Sequence, residues 1–250
     1  MGLTPARLLF LGLLCALPRP ARADATPAEQ PAAVRFDHLD RQIRDGTLER
    51  GQARRDFARL VPEVRAQLAA AACRPTPRGD WVFPLAGFGP SAIGGRQGSG
   101  YQPRGYDYFD GNRHGGHPAH DIFIRDRDQD DHDDRTRAPV AVLSVSSGLV
   151  VAVNPSWQPG SAVRGGIYVW VYDPVTDALF YYAHLRRAQV RPGDCVAAGA
   201  PLGEVGRTGA NAWPRRSPTH LHLSYLAIVD GAPVPRNPYA DLRRARRSPR

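Results

Sequence analysis

The sequence predicts a mainly β protein, an antiparallel β sandwich or curved sheet preceded by a helical extension. Two observations point to this architecture and a third narrows it. From Trp81 onward, short runs of Val, Ile and Tyr alternate with Gly- and Pro-rich turn signals, the texture of many short strands. Before that, Phe57, Leu60, Val61, Val64 and Leu68 recur at the spacing of one helix face. No internal repeat and no strand-to-helix phosphate cradle is present. The Gly-rich stretch Gly87–Gly105 leads into a histidine cluster instead.

Taken in order, Met1–Ala23 reads as a signal peptide. Arg7 gives a positive start, Leu8–Leu17 an apolar run, and Ala21-Arg22-Ala23 a small-x-small cleavage pattern. An apolar run of about ten residues is half of what spans a bilayer, so export without membrane insertion is expected, to the periplasm or the medium. Residues 24–33 form an Ala/Pro-rich flexible leader. Residues 34–73 form the helical extension, as two or three short helices. Asp45-Gly46 breaks it early, and Pro62 either kinks it or opens a new helix. The β domain spans residues 81–240, with strands at Asp121–Ile124, Val140–Val145, Gly148–Val153, Ile167–Tyr172, Leu179–Ala183, Leu202–Val205 and His220–Ile228. Residues 241–250 read as a disordered basic tail.

The 250 residues carry a formal net charge of +9, and every basic residue is Arg. Such basicity suggests a nucleic-acid partner, but its location argues otherwise. Three Arg leave with Met1–Ala23, and Asp241–Arg250 holds five Arg against one Asp. The body between is close to neutral, which with export speaks against nucleic acid. Of the three cysteines, Cys73 and Cys195 remain after cleavage. An oxidising compartment permits one disulfide between them, and only proximity in the fold decides.

The histidines carry the chemistry. Three fall within His114–His120, two form His220-Leu221-His222, and His184 ends the Tyr181-Tyr182-Ala183 run. In a strand, residues i and i+2 share a face, so His220 and His222 reach one cavity while Leu221 and Leu223 point into the core. His117 and Asp121 would lie roughly 13 Å apart on a straight strand. Sharing an ion therefore requires a bend, for which Gly115, Gly116 and Pro118 provide the means. His114 and His120 read as polar loop residues, since a catalytic zinc needs only three protein ligands. His38 reads as a surface residue.

In this order (HxxxD at His117…Asp121, Tyr182-Ala183-His184-Leu185, then His220-Leu221-His222) the sequence resembles the lysostaphin-type zinc metalloendopeptidases, which cleave peptides of bacterial peptidoglycan. Ala138-Pro139-Val140, Ser147-Gly148-Leu149-Val150, Val190–Asp194 and Gly203–Gly209 resemble the family's intervening turns, and the likeness covers roughly Trp81–Ile228. The resemblance implies a lysostaphin-like sheet of the duplicated hybrid motif type. It also implies Zn2+ held by His117, Asp121 and His222, with His184 and His220 as the catalytic pair. His220 would act as general base towards a water acidified by the ion, and His184 would stabilise the oxyanion or help hold the water. Peptidoglycan peptides are the implied partner. A binding or regulatory module of the same fold is the alternative, although such relatives typically lack part of this set.

Two departures stand out. Ala119 occupies a position where the family usually has Gly, with His120 as an uncommon companion. Asp126–Asp134 is an acidic insertion with six Asp in nine residues. Its DxDxDD text suggests a calcium loop, but Asp131 stands where an EF-hand needs Gly and Arg137 where it needs Glu. A solvated loop paired with neighbouring Arg is the other reading. Trp157 and Trp213 are candidates to line a substrate groove.

Overall fold

The computed structural model describes residues 30–71 and 73–249. The signal-peptide segment and residues 24–29 of the leader lie outside the described residues. Two helices, α1 (Ala32–Asp45) and α2 (Arg50–Ala70), precede nine strands, and a short helix closes the chain. The strands are β1 (Ala119–Phe123), β2 (Ala141–Leu143), β3 (Gly148–Asn154), β4 (Ile167–Asp173), β5 (Ala178–Ala188), β6 (Cys195–Val196), β7 (Pro201–Val205), β8 (His220–Val229) and β9 (Ala232–Pro235); the last helix is α3 (Tyr239–Arg244). All strand pairs are antiparallel. The order β1-β8-β5-β4-β3-β6 forms the main run, with β9 on β8, and β7 pairing with both β5 and β2. The fold class is therefore mainly antiparallel β with N-terminal helices, as expected. β6 and β9 were not foreseen.

Alternation splits the sheet into two faces. Val169 and Val171 of β4, Phe180 and Tyr182 of β5, and Leu221 and Leu223 of β8 enter one core with Trp81, Phe83 and Leu85. Tyr168, Trp170 and Tyr172 of β4 and Leu179 and Tyr181 of β5 face the other way, into a second core built with Phe36, Leu39, Phe57 and Val64 of the helices. The helices are thus the cover of one sheet face, with many largely buried side chains stabilising the layer at roughly 1.5–3 kcal/mol each.

Gly46, in the left-handed region at φ 67°, ends α1 as the Asp45-Gly46 break predicts. Pro62 does not open a new helix, because α2 runs through it for 21 residues. The helix begins two residues earlier than the leader boundary, since Ala32 and Ala33 are buried in α1. Polar contacts also hold α1 to the sheet. Asp37 accepts the Val153 N–H of β3 at 2.9 Å, and Asp40 accepts the hydroxyls of Tyr108 (2.9 Å) and Tyr168 (2.6 Å). Cys73 and Cys195 are joined, with Cα atoms 5.8 Å apart, stapling the end of the helical layer to β6.

Of the tail expected to be disordered, Asp241, Leu242 and Arg246 are packed onto the domain. Leu242 is fully buried in the first core, Arg78 pairs with Asp241 at 2.7 Å, and Arg246 exchanges backbone hydrogen bonds with Trp81 and Phe83. Its charge count concealed two apolar side chains, Leu242 and Ala245, spaced to reach one core. Among the described residues, no helix is long and apolar enough to cross a membrane.

Candidate metal centre and active site

Strand register brings the first pair together. Asp121 of β1 lies directly opposite His222 of β8, and its Oδ1 is 3.2 Å from His222 Nδ1. His117 precedes β1 and is held there by a two-bond bridge with Gln102. The bend it needed is real. Gly116 sits at φ 68°, where a Cβ would meet the Arg104 and Gln102 carbonyl oxygens at 2.6 and 3.0 Å, so only glycine fits the turn. His117 Nε2 consequently reaches Asp121 Oδ1 at 3.2 Å. One donor atom each from His117, Asp121 and His222 lies within 4.8 Å of the others, a group able to hold a metal ion.

Hydrogen bonds on the far side of the rings fix which nitrogen faces the centre. A carbonyl can only accept, so His117 Nδ1 carries the hydrogen it gives to Gly100 O at 2.9 Å, leaving Nε2 with a lone pair. His220 Nδ1 likewise donates to Pro218 O at 2.7 Å, and its Nε2 is 3.6 Å from Asp121 Oδ1. His184 Nδ1 donates to Thr208 O at 2.8 Å. His222 uses Nδ1 towards Asp121, with Nε2 at 3.4 Å from Ser224 Oγ. Two imidazole nitrogens and one carboxylate oxygen therefore converge, a donor set suited to zinc with a position left open.

His184 reaches the site by a β-bulge. Along β5, Tyr182 and Leu185 point into the first core while Tyr181 and Ala183 point into the second. Strict alternation would send His184 into the first core. Instead the register with β4 slips between Ile167 and Val169, and His184 adopts φ 64°. The extra residue keeps Ala183 and His184 on one side. A left-handed histidine costs roughly 1–2 kcal/mol, and such strain concentrates at functional sites. The rings of His184 and His220 have centroids 4.9 Å apart, and those of His117 and His222 4.8 Å.

Electrostatics follow the contacts. Burial works to raise the Asp121 carboxyl, but its contacts with His117 and His222, and the positive charge that His222 and His220 carry when protonated, hold it well below the usual carboxylate range. The bond to Asp121 raises His117 against its own burial. Burial, with His220 and His222 nearby, takes His184 well below its ordinary value, and burial lowers His222.

A cavity of about 260 Å³ opens over this group. His117, Asp121, His184, His220 and His222 line it, together with Tyr168, Trp170 and Tyr181 of the same sheet face. Asp40 and Arg44 of α1 complete the wall, with Tyr106, Asn112, Val163, Arg164 and Asn211 from the loops. The helical extension thus builds part of the cavity, which nothing in its sequence had signalled. Trp157 and Trp213 do not line it; they pair with each other at 5.7 Å. His114 lies on the cavity wall, while His120 is no loop residue. It is fully buried in β1, stacked on Tyr101 and bonded to Asn237 at 2.8 Å, because its neighbours Ala119 and Asp121 set it on the opposite face.

Calcium finds no support in the acidic insertion. Asp126, Asp128 and Asp130 are close enough to share an ion. However, the Asp126 carboxylate already accepts the N–H groups of Asp130 and Asp131 and the Thr219 hydroxyl, at 3.0, 3.0 and 2.6 Å.

Residues 133–235 match the family model of Peptidase family M23. The match spans 103 of the 250 residues. The matched segment supplies His184, His220 and His222; His117 and Asp121 lie ahead of it, beyond the acidic insertion, and Asp121 is brought to it by the β1–β8 pairing. Among solved structures, the chain is similar to one from Ruminococcus gnavus described as a glycyl-glycine endopeptidase, at 28% identity over 50% of this chain and 45% of that one, TM-score 0.38. It is also similar to the antimicrobial peptidase lysostaphin from Staphylococcus simulans, at 23% identity over 50% and 43%, TM-score 0.36. A zinc-containing peptidase from Vibrio cholerae matches at 21% identity over 64% and 39%, TM-score 0.38. The chain spans less than half the length of each of these three. No curated protein matches it.

Proposed function

We propose that this protein is an exported zinc endopeptidase that hydrolyses peptide bonds of bacterial peptidoglycan. The observation that carries the reading is the arrangement of five side chains, three with converging donor atoms and two whose Nδ1 hydrogens are engaged by backbone carbonyls. His117, Asp121 and His222 would hold the metal through Nε2, a carboxylate oxygen and Nδ1. Zinc, when bound, supplies Lewis acidity to the scissile carbonyl and to a nucleophilic water. His220, with its Nε2 lone pair beside the ligand carboxylate, takes the proton from that water as general base and returns it to the leaving amine. His184 is neutral in the Nδ1–H form, so its Nε2 accepts a second hydrogen from the water and orients it. That tautomer supports the water-holding role over oxyanion donation, which would require a further proton on a buried ring.

The Cys73–Cys195 disulfide supports an oxidising compartment, in line with export to the periplasm or the medium. The test is digestion of purified peptidoglycan with and without a chelator, alongside zinc content. His222→Ala and Asp121→Ala should lose zinc, and His220→Ala should retain zinc while hydrolysis falls by two orders of magnitude or more. Full activity in His220→Ala, or digestion indifferent to chelation, overturns the mechanism. Binding without digestion by the wild type would instead favour a module that only recognises the wall.

A further inference from the structure

Of the charged side chains on the cavity wall, Arg164 is the one without a counter-ion. Asp121 meets three histidines, Asp40 holds two tyrosine hydroxyls, and Arg44 is bidentate to Asp45 at 2.7 Å through both nitrogens. Arg164 has no carboxylate partner among the described residues. Its Nη1 donates to the carbonyl oxygens of His114 at 2.8 Å and, more weakly, of Asn112 at 3.5 Å. Those bonds fix the arm and leave the rest of the guanidinium fork for something else.

The backbone also places Arg164 deliberately. Gly165 follows it, and a Cβ there would overlap the Tyr181 hydroxyl. The Gly165 carbonyl accepts the His184 N–H at 2.9 Å, so Arg164 stands one residue from a direct bond to the bulged histidine. A half-buried cation this close to the reacting group, in a cavity that shields it from solvent, has lost hydration that only an anion restores well. A guanidinium fork matches a carboxylate bidentately.

We infer that Arg164 is a specificity-determining residue that binds a free carboxylate on the substrate, beside the scissile bond. The inference rests on the peptidase reading above and narrows it. Stem-peptide cross-links carry such carboxylates, whereas neutral glycine bridges carry none next to an internal scissile bond. Arg164 acts on binding and positioning; no proton or bond passes through it.

Two synthetic stem peptides test this, identical except that the residue flanking the scissile bond bears a free carboxylate or a primary carboxamide. The zinc-loaded wild type should favour the carboxylate by about 10- to 100-fold in kcat/KM, the range of one charge-assisted pair, chiefly through KM. Arg164→Gln should bring that ratio close to one, and Arg164→Lys should restore part of it. A wild-type ratio near one overturns the inference. So does an Arg164→Gln variant that loses activity equally on both peptides, since that is the signature of a brace for the Asn112–His114 loop. Calorimetric binding of both peptides to His220→Ala, with and without Arg164→Gln, gives the same ratio without turnover. If the wild type cleaves neither peptide, the peptidase reading falls, and the binding ratio alone then decides whether Arg164 selects a carboxylate.

Discussion

Replacing Asp40 with Asn isolates the cost of a buried carboxylate at the joint between α1 and the sheet. Burial pushes this carboxyl up from 3.8 to about 6, against the hydrogen bonds from Tyr168 and Tyr108 that favour the anion. A rise of about two units corresponds to about 3 kcal/mol at 1.36 kcal/mol per unit. The sign follows from proton binding. The folded chain holds this proton more tightly than the unfolded chain, so stability is highest below pH 4 and falls as the pH rises through 6. Asn has no proton to lose. Its amide oxygen accepts one tyrosine O–H, and its N–H is accepted by the other hydroxyl, so both partners remain satisfied. Urea denaturation of the two proteins at fixed ionic strength, from pH 3.5 to 7.5, removes the other titrating groups by difference. The wild type should lose about 3 kcal/mol relative to Asp40→Asn across that interval, roughly 6–12 °C in Tm for a chain of this size. A difference that stays constant with pH would refute the reasoning. It would mean that the two hydroxyls fully offset the desolvation.

Two further outcomes follow from the backbone and the core. His184→Gly should be more stable than His184→Ala by about 1 kcal/mol in thermal unfolding, because glycine accepts φ 64° without strain, while both variants lose catalysis. The reverse order would contradict the bulge. Leu242→Ala should cost about 2–5 kcal/mol in denaturant unfolding, the usual price of a fully buried leucine; a disordered tail predicts a change near zero.

What was legible in the sequence was what depends on local period and on ordered motifs. The alternation in β4 and β8, the Gly46 stop and the shared face of His220 and His222 all obey spacing rules that operate within a few residues. The bend before Asp121 could be demanded from distance alone, and its glycines were visible. The bulge at His184 could not be read, because it depends on how β5 pairs with β4 and β7 at once. Pro62 starts no new helix for a related reason: packing of Phe57, Val61 and Val64 against the sheet outweighs one lost hydrogen bond and a ring clash. The tail was misread because net charge says nothing about the two apolar residues hidden among five arginines.

The sheet's parity ties these parts into one device. The face of β4 and β5 that presents Tyr168, Trp170 and Tyr181 continues along β8 as His220, His222 and Ser224. One end of that face is sealed by α1 and α2, and the other would carry the ion. A helical layer that were merely an appendage could be removed without touching the site. Here Asp40 and Arg44 line the same cavity as His184, Asp37 bonds to β3, and a disulfide closes the layer onto β6. Removing the helices would strip the aromatic wall of its cover as well as exposing the second core. The extension therefore belongs to the architecture of the site: the chain uses its helices to convert an open sheet face into a walled pocket, whose wall also carries Arg164.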